Sequence, residues 1–542
     1  MKKCISNKLF TAVMTAVMLS TLALSSCRPQ SDELLSYGQN DNQVFRDGNF
    51  SFEEEFKDFW SAMNENYCIW DFEQAHGLDW DEVYDTYLPK FKELDTRNGL
   101  VSDEELAELY RQFVDSLLDG HMYVEIKNLS TGNYIYINPN QDRIARERQE
   151  LYLSDSRATA LDYYRTPAAD ASYRIHDYDA TSPVQIVTQV FDSVATRCVK
   201  ASNEYIAAVE AAGGPTPLYD SLYQSVVYMK KAFESLLDIL QQYPESALME
   251  GLGSLVAQYN SVSSRCTLTA KQLGVTLTPI DNRVANDNLR FIRYARFEGD
   301  IVYLRFGAFY LSPHLVPYNI TSDTTSMYYA YQMAVNRVWH NWFDAIQELH
   351  AAGQLGGVIL DMRGNSGGMV NDFQFAMGAL LPSGGWSGSK GRVKNGPGRL
   401  DFAPLVPLSF STYEEEHAVI NDVPIVVLAN TASGSLAENT TWSVMCQPNG
   451  YFIGTRTYGA LSALNVSPEN YSQTYSGAFG VRRVTPIYGS LPKFVILYGD
   501  DLHIAEGHGF DPDKEVVLDV NLYNSTGRDN QLESALDYIH SK

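Results

Sequence analysis

Apolar residues recur at helical spacing between residues 51 and 118. Phe52, Phe56, Phe59, Trp60 and Met63 share one face of a first helix. Asp79-Trp80-Asp81-Glu82 opens a second, which carries Val83, Tyr87 and Phe91. A third begins near Ser102, with Asp103, Glu104 and Glu105 in its first turn, where carboxylates meet the positive end of the helix dipole. Leu106, Leu109, Phe113, Leu117 and Leu118 line that helix until Asp119-Gly120-His121 stops it. Met122 to Lys127 and Tyr134 to Asn138 then read as strands, joined over Ser130-Thr131-Gly132-Asn133 as a hairpin.

Residues 140 to 290 return to the helical period. Ser182-Pro183 starts a helix with Val184, Val187, Phe191, Val194, Cys198 and Tyr205, which Gly213-Gly214-Pro215 breaks. Leu222, Val226, Met229, Phe233, Leu236 and Leu240 mark a second, ended by Tyr243-Pro244, and Leu248, Leu252, Leu255 and Tyr259 a third. One apolar stripe on each predicts a three-helix bundle whose stripes serve packing rather than chemistry. From about residue 291 the pattern alternates between strands and helices. Residues 300–306, 357–361, 424–430, 451–454 and 494–498 read as strands, the second and third apolar enough for the middle of a sheet. Residues 324–352, 368–381 and 529–540 read as helices, and another starts after Ser435.

The domains expected are a helical domain (51–120), a β-hairpin (121–140), an inserted three-helix bundle region (141–290) and an α/β core (291–542). A chain of 542 residues exceeds what one core organises. Before them, Lys2 and Lys3, the apolar run Leu9–Leu24 and Leu24-Ser25-Ser26-Cys27 read as a bacterial lipoprotein signal over residues 1–26, with acylation of Cys27. Polar residues 27–50 read as a flexible tether. The expectation is a protein of the bacterial cell envelope, held by lipid on Cys27 at the outer membrane and facing outward.

Charge narrows the partners. The 41 basic against 66 acidic side chains leave a formal charge of -25, which repels nucleic-acid phosphates and anionic lipid headgroups. Cys68, Cys198, Cys266 and Cys446 show no CxxC spacing, so neither a zinc nor a redox motif follows. Cys198 and Cys266 are a candidate pair in an oxidising compartment, with buried free thiols as the default. The histidines show no metal-ligand spacing, and no cofactor is expected.

Two turns carry candidate chemistry. Thr431-Ala432-Ser433-Gly434-Ser435 lies between an apolar strand and a helix. A Ser at the first turn of such a helix is exposed above the sheet edge, beside N–H groups that stabilise an oxyanion. Glu438 follows one helical turn later. Alone, this segment reads first as a Ser/Thr helix cap. Leu360-Asp361-Met362-Arg363-Gly364-Asn365-Ser366-Gly367-Gly368 also leaves a strand for a predicted helix, and no Gly-Lys-Ser/Thr makes it a phosphate loop.

Together the two turns, DMRGNSGG and NTASGSLAE, resemble the tail-specific, or C-terminal processing, serine peptidases, a family that includes the tricorn protease core and retinoid-binding repeats. Its members carry Asp-Leu-Arg-x-Asn-x-Gly-Gly after one strand and a Ser between a strand-ending Asn and a Glu after another. Gly509-Phe510-Asp511-Pro512-Asp513 and the N-terminal FKDFW, NENY and LDWDEVY segments are similar too. The resemblance covers roughly residues 50–125 and 291–540. It implies a ClpP/crotonase-like α/β peptidase core acting without cofactor on peptides or unfolded protein chains.

Ser435 lies five residues after Asn430 and three before Glu438, the spacing of the family nucleophile, and Ser433 does not. The resemblance implies an oxyanion hole from the N–H groups of Gly367 and Leu436. The processing peptidases use a downstream Lys as base; Ala460 stands in its place here, and the guanidinium of Arg456 cannot accept a proton. The tricorn-like branch uses a His, and Leu118-Asp119-Gly120-His121-Met122-Tyr123-Val124 resembles that element. The resemblance thus implies His121 as base, with Glu506 or Glu438 orienting the site and His508 in reserve. Many relatives carry a PDZ domain where the bundle is expected here. An alternative stays open: a catalytically inactive binding lipoprotein on the same fold.

Overall fold

The computed structural model describes residues 51–149, 151, 161–217, 220–243, 245–464 and 477–542. The expected signal, Cys27 and the tether lie outside them. Helices α1 (Phe52–Asn66), α2 (Trp80–Thr96) and α3 (Asp103–Val114) begin at Ser51, Asp79 and Ser102, whose side chains accept first-turn N–H groups. The hairpin β1 (Tyr123–Lys127) and β2 (Tyr134–Ile137) follows. Strand β3 (Ile175–Thr181) leads into the long helices α4 (Pro183–Ala211), α5 (Asp220–Gln242) and α6 (Glu245–Gln272). Next come β4 (Ile292–Phe297), β5 (Ile301–Phe306), α7 (Met327–Ala351), β6 (Gly357–Asp361), β7 (Gly385–Arg392) and β8 (Val406–Ser411). The chain continues through β9 (Ile425–Ala429), α8 (Leu436–Met445), β10 (Gly450–Gly454), β11 (Ala478–Phe479), β12 (Ile487–Ser490), β13 (Val495–Tyr498), β14 (Lys514–Glu515) and α9 (Asn530–His540).

Seven strands form the main sheet in the order β14-β10-β9-β6-β5-β4-β3. The strands from β14 to β5 are parallel to their neighbours, and β4 and β3 are added antiparallel. Every residue of β6 and β9 is buried, which is why β9 is an unbroken apolar run and β6 is apolar up to Asp361 at its end. Helices pack on both faces. The largest core joins the sheet to α7 and to the three long helices, and a smaller one lies under α9. Asp361 pairs with Leu428, so β6 and β9 end together and the turns after them leave side by side. Crevices at the carboxyl edge of parallel strands are the usual place for a site in such sheets.

Several sequence expectations need correction. Residues 368–381 form no α-helix but two 3-10 turns, Val370–Phe375 and Met377–Ala379. Asp372 is drawn inward to accept the N–H groups of Leu311 and Ser312, and Ala376 between the turns has φ -112 and ψ -94. The 141–290 region holds more than a bundle, because β3 pairs with β4 at the sheet edge. The polar sequence IHDYDAT gave no alternation to find. The hairpin is half of a four-stranded sheet, β11-β12-β1-β2, and β13, β7 and β8 make a third. Side chains from 479–497 complete the core of the N-terminal helices, among them Phe479, Ile487 and Val495. Cys198 and Cys266 are both buried and both free.

Candidate active site

The turn after β9 gives its two serines different surroundings. Ser433 is fully buried, and its hydroxyl donates to Met362 O at 2.8 Å while accepting Asn430 N–H at 2.9 Å. That hydroxyl ties the end of one strand to the turn after its neighbour. Ser435 is only partly buried and sits at φ 54, ψ -120, a left-handed conformation that costs a non-glycine residue about 1–3 kcal/mol. Two bonds hold it there: its N–H donates to Ala460 O at 2.7 Å and to Glu438 Oε2 at 3.0 Å. The result is a Ser at the first turn of α8, with its backbone fixed from behind.

The turn after β6 packs directly on this one. A Cβ added to Gly367, at φ +92, would lie 2.5 Å from Ser435 Cβ and 2.8 Å from Leu436 N. Only glycine allows that approach. Asn430 Oδ1 accepts Gly364 N–H at 3.0 Å, and Asn365 O accepts Gly434 N–H at 3.0 Å, so the turns are stitched from both sides. Beneath them, Asp361 accepts Tyr303 Oη, Arg305 Nη1 and both Nε and Nη2 of Arg363. Arg363 reaches on to Asp529 and Gln531 at the start of α9. Burial alone would raise the Asp361 carboxyl; the two guanidiniums outweigh it and hold the group ionised well below the usual range. These residues brace the turn and do not face the site.

The two expected oxyanion donors differ. Leu436 N–H has no acceptor among the described residues. Gly367 N–H donates to Asn365 Oδ1 at 2.9 Å in this conformation. An oxyanion reaching Gly367 must share or displace that bond.

His121 reaches the same corner from the other end of the chain. A Cβ on Gly120 would meet Gly459 O at 1.9 Å and Ala460 Cα at 2.4 Å, so the turn before β1 lies flat on residues 459–460. Ala460, whose carbonyl holds Ser435, therefore lies between the elbow and the His-bearing turn. No hydrogen bond joins the Ser435 hydroxyl to His121 in this conformation, and His121 Nδ1 is buried without a partner. Burial pushes the imidazole down to about 4. His508, the reserve base, is exposed, with Nε2 beside Arg456 Nη1 at 2.9 Å.

Two buried carboxylates clamp the segment between. Glu438 accepts Thr457 Oγ1 at 2.5 Å and the N–H groups of Gly459, Ala460 and Ser435. Burial raises it to about 7 against those donors. Glu506 accepts Gly120 N–H at 2.9 Å, Leu461 N–H at 3.1 Å and Ser462 N–H, and burial raises it too. Neither bonds His121 or the Ser435 hydroxyl, so both are positioning residues. Sequence reasoning named Gly120, Asn365 and Asn430 only as parts of motifs, without their bonds or contacts, and missed the Ala460 carbonyl, because a backbone acceptor leaves no mark in residue type. Among the described residues no group of three or more His, Cys, Asp or Glu is arranged to hold a metal.

The His121 shift has a measurable sign. Its folded value lies below the ordinary 6.5, so the ring stays neutral, and able to accept a proton, down to about pH 4. The Glu438 carboxylate bonds neither the imidazole nor the Ser435 hydroxyl, so its own titration leaves the base in place. The acid-side midpoint of kcat/KM is expected below pH 6.5 and toward 4. A midpoint at or above 6.5 would mean a solvated His121 or a different base.

Comparison with known proteins gives three kinds of similarity. Residues 325–476 match the model of Peptidase family S41, and residues 51–103 that of the Tricorn protease C1 domain. A Carboxy-terminal-processing protease of Bartonella bacilliformis is 28% identical over 204 residues, which are 37% of this chain and 39% of that protein. The matched stretch is thus well under half the length of that relative. Among solved structures, a candidate peptidase from Parabacteroides merdae is similar over 91% of this chain and 97% of its own, with TM-score 0.45 and 16% identity. A candidate S41 protease from Bacteroides fragilis covers 47% of this chain and 58% of its own, with TM-score 0.31 and 18% identity.

Proposed function

We propose that this chain, which belongs to the tail-specific S41 peptidase family, is a serine endopeptidase that cleaves peptides or unfolded protein chains with Ser435 as nucleophile and His121 as base. In this reading the parallel part of the main sheet is a ClpP/crotonase-like core. The observation that carries it is the packing of three chain-distant turns, 364–368, 430–435 and 118–121, around Ala460 and the strained Ser435. A plain helix cap needs no left-handed Ser packed against a glycine so closely that a Cβ added there would lie 2.5 Å from the Ser Cβ.

The chemistry follows from these positions. As substrate binds, the Ser435 hydroxyl comes within hydrogen-bond reach of His121; such bonds are often long or absent in an unliganded site. His121 takes the proton while Ser435 Oγ attacks the carbonyl carbon. Leu436 N–H, with Gly367 N–H once released by Asn365, holds the oxyanion. His121 then returns the proton to the leaving amine, and water resolves the acyl-enzyme by the same steps. Glu438 and Glu506 keep the backbone around Ala460 in place. The expected lipid on Cys27 would hold this body at the outer membrane of a cell envelope, facing peptides outside the cytoplasm.

The test is cleavage of a reduced, alkylated polypeptide at neutral pH, with products mapped by mass. Internal cuts by the wild type, absent in His121→Ala, are expected. Full activity in His121→Ala removes the base assignment. A wild type that binds the chain without cutting it favours the inactive binding protein.

A further inference from the structure

The turn that carries His121 has an unusual property: five consecutive N–H groups each meet a side-chain acceptor. Leu118 N–H donates to Glu73 Oε1 at 2.7 Å, and Asp119 N–H to Tyr67 Oη at 3.2 Å. Gly120 N–H goes to Glu506, and His121 and Met122 N–H both go to Asp119 Oδ1, at 2.8 and 3.0 Å. On the other side, Arg143 Nη1 donates to Leu117 O at 3.1 Å. Neither helix nor strand supplies these bonds. The turn holds its shape because buried side chains from three parts of the chain fix it.

Two of these acceptors come from the N-terminal helical domain. Glu73 lies in the short helix Trp70–Ala75, and Tyr67 caps α1. Both are buried, and Tyr67 Oη donates to Glu73 Oε1 at 2.6 Å. The hydroxyl therefore donates to one group and accepts from the other, leaving it one orientation. Nothing in the fold of the helices requires a buried carboxylate here. Burial raises Glu73 to about 7, and it also raises Tyr67 and Asp119, a cost that makes these groups an expensive choice for packing alone.

We propose that Tyr67 and Glu73 are positioning residues for His121, so that the N-terminal domain completes the active site rather than flanking it. The inference rests on the reading of His121 as base. Ala460 is fixed by Glu438, and the His turn lies on Ala460 through Gly120, so a shift of residues 118–121 changes the distance from the imidazole to Ser435 directly. The groups facing this turn are Tyr67, Glu73, Asp119, Glu506 and Arg143.

The test uses Tyr67→Phe and Glu73→Gln in the full chain, each with its competent sites titrated by a fluorophosphonate. Each is expected to lower kcat about tenfold or more, as misplacement of a reacting group does, with KM within about twofold. The acid-side midpoint should rise toward 6.5 as water reaches the loosened ring. The double variant should lose little beyond either single, because the two share one bond. A purely structural pair would lower the melting temperature but leave kcat and the midpoint unchanged below it, and that result overturns the proposal. If His121→Ala is inactive while both variants match the wild type, this inference falls and the reading of the site stands. If His121→Ala is fully active, the reading itself falls. The wild type supplies a check that needs no variant: amides 118–122 should exchange as slowly as those of β6 and β9, and rapid exchange would contradict a fixed turn.

Discussion

Ser435→Ala is expected to lower kcat by about 10⁴-fold or more while leaving folding intact, since a nucleophile of this class carries most of the rate beyond binding and the oxyanion hole. The neighbouring serine makes the control. Ser433→Ala removes the bond to Met362 O and leaves Asn430 N–H without its buried acceptor. That should cost stability, about 1–3 kcal/mol, and little kcat. The pair separates chemistry from support within three residues. If Ser433→Ala abolished turnover and Ser435→Ala did not, the elbow would have been assigned to the wrong hydroxyl.

The second large effect is on stability. Arg363 is fully buried and links Asp361, at the end of β6, with Asp529, at the start of α9. Arg363→Met removes one charge and leaves Asp529 without this partner and Asp361 with Arg305 as its remaining cation beside the Tyr303 hydroxyl. Breaking a buried pair in this way typically costs about 3–5 kcal/mol. Denaturant unfolding should show the midpoint falling with the slope unchanged. Arg363→Lys should recover only part of the loss, because an ammonium cannot reproduce the fork that meets Asp361 through Nε and Nη2. Activity at temperatures where the variant stays folded should fall less than in Ser435→Ala. A midpoint equal to wild type would mean that the network is dispensable.

How much of this was legible in the sequence depends on whether a feature is local. Helix starts at Asp79, Ser102 and Ser182 were readable because a cap and its first turn are neighbours in the chain. The apolar runs of β6 and β9 marked the centre of the sheet. Counting from Asn430 and Glu438 separated Ser435 from Ser433, whose surroundings in the structure differ as described. What escaped was set by distant partners. β3 is a polar strand that exists because β4 offers an edge. The 3-10 turns after Gly368 replace a helix because Asp372 bonds a loop sixty residues earlier. The core of the N-terminal helices is closed by residues 479–497, and the turn at His121 is held by Glu73 and Glu506, none of which a local pattern reveals. Gly367 was named as an oxyanion donor from resemblance, and only geometry shows Asn365 Oδ1 occupying that amide.

In this reading the strained Ser at the start of α8 is a working nucleophile. Incubating the native protein with a fluorophosphonate and mapping the adduct by peptide mass tests it most directly. One phosphonylated site is expected, on Ser435, with labelling lost in Ser435→Ala and strongly slowed in His121→Ala. An adduct on Ser433, or labelling that persists in Ser435→Ala, would contradict the account.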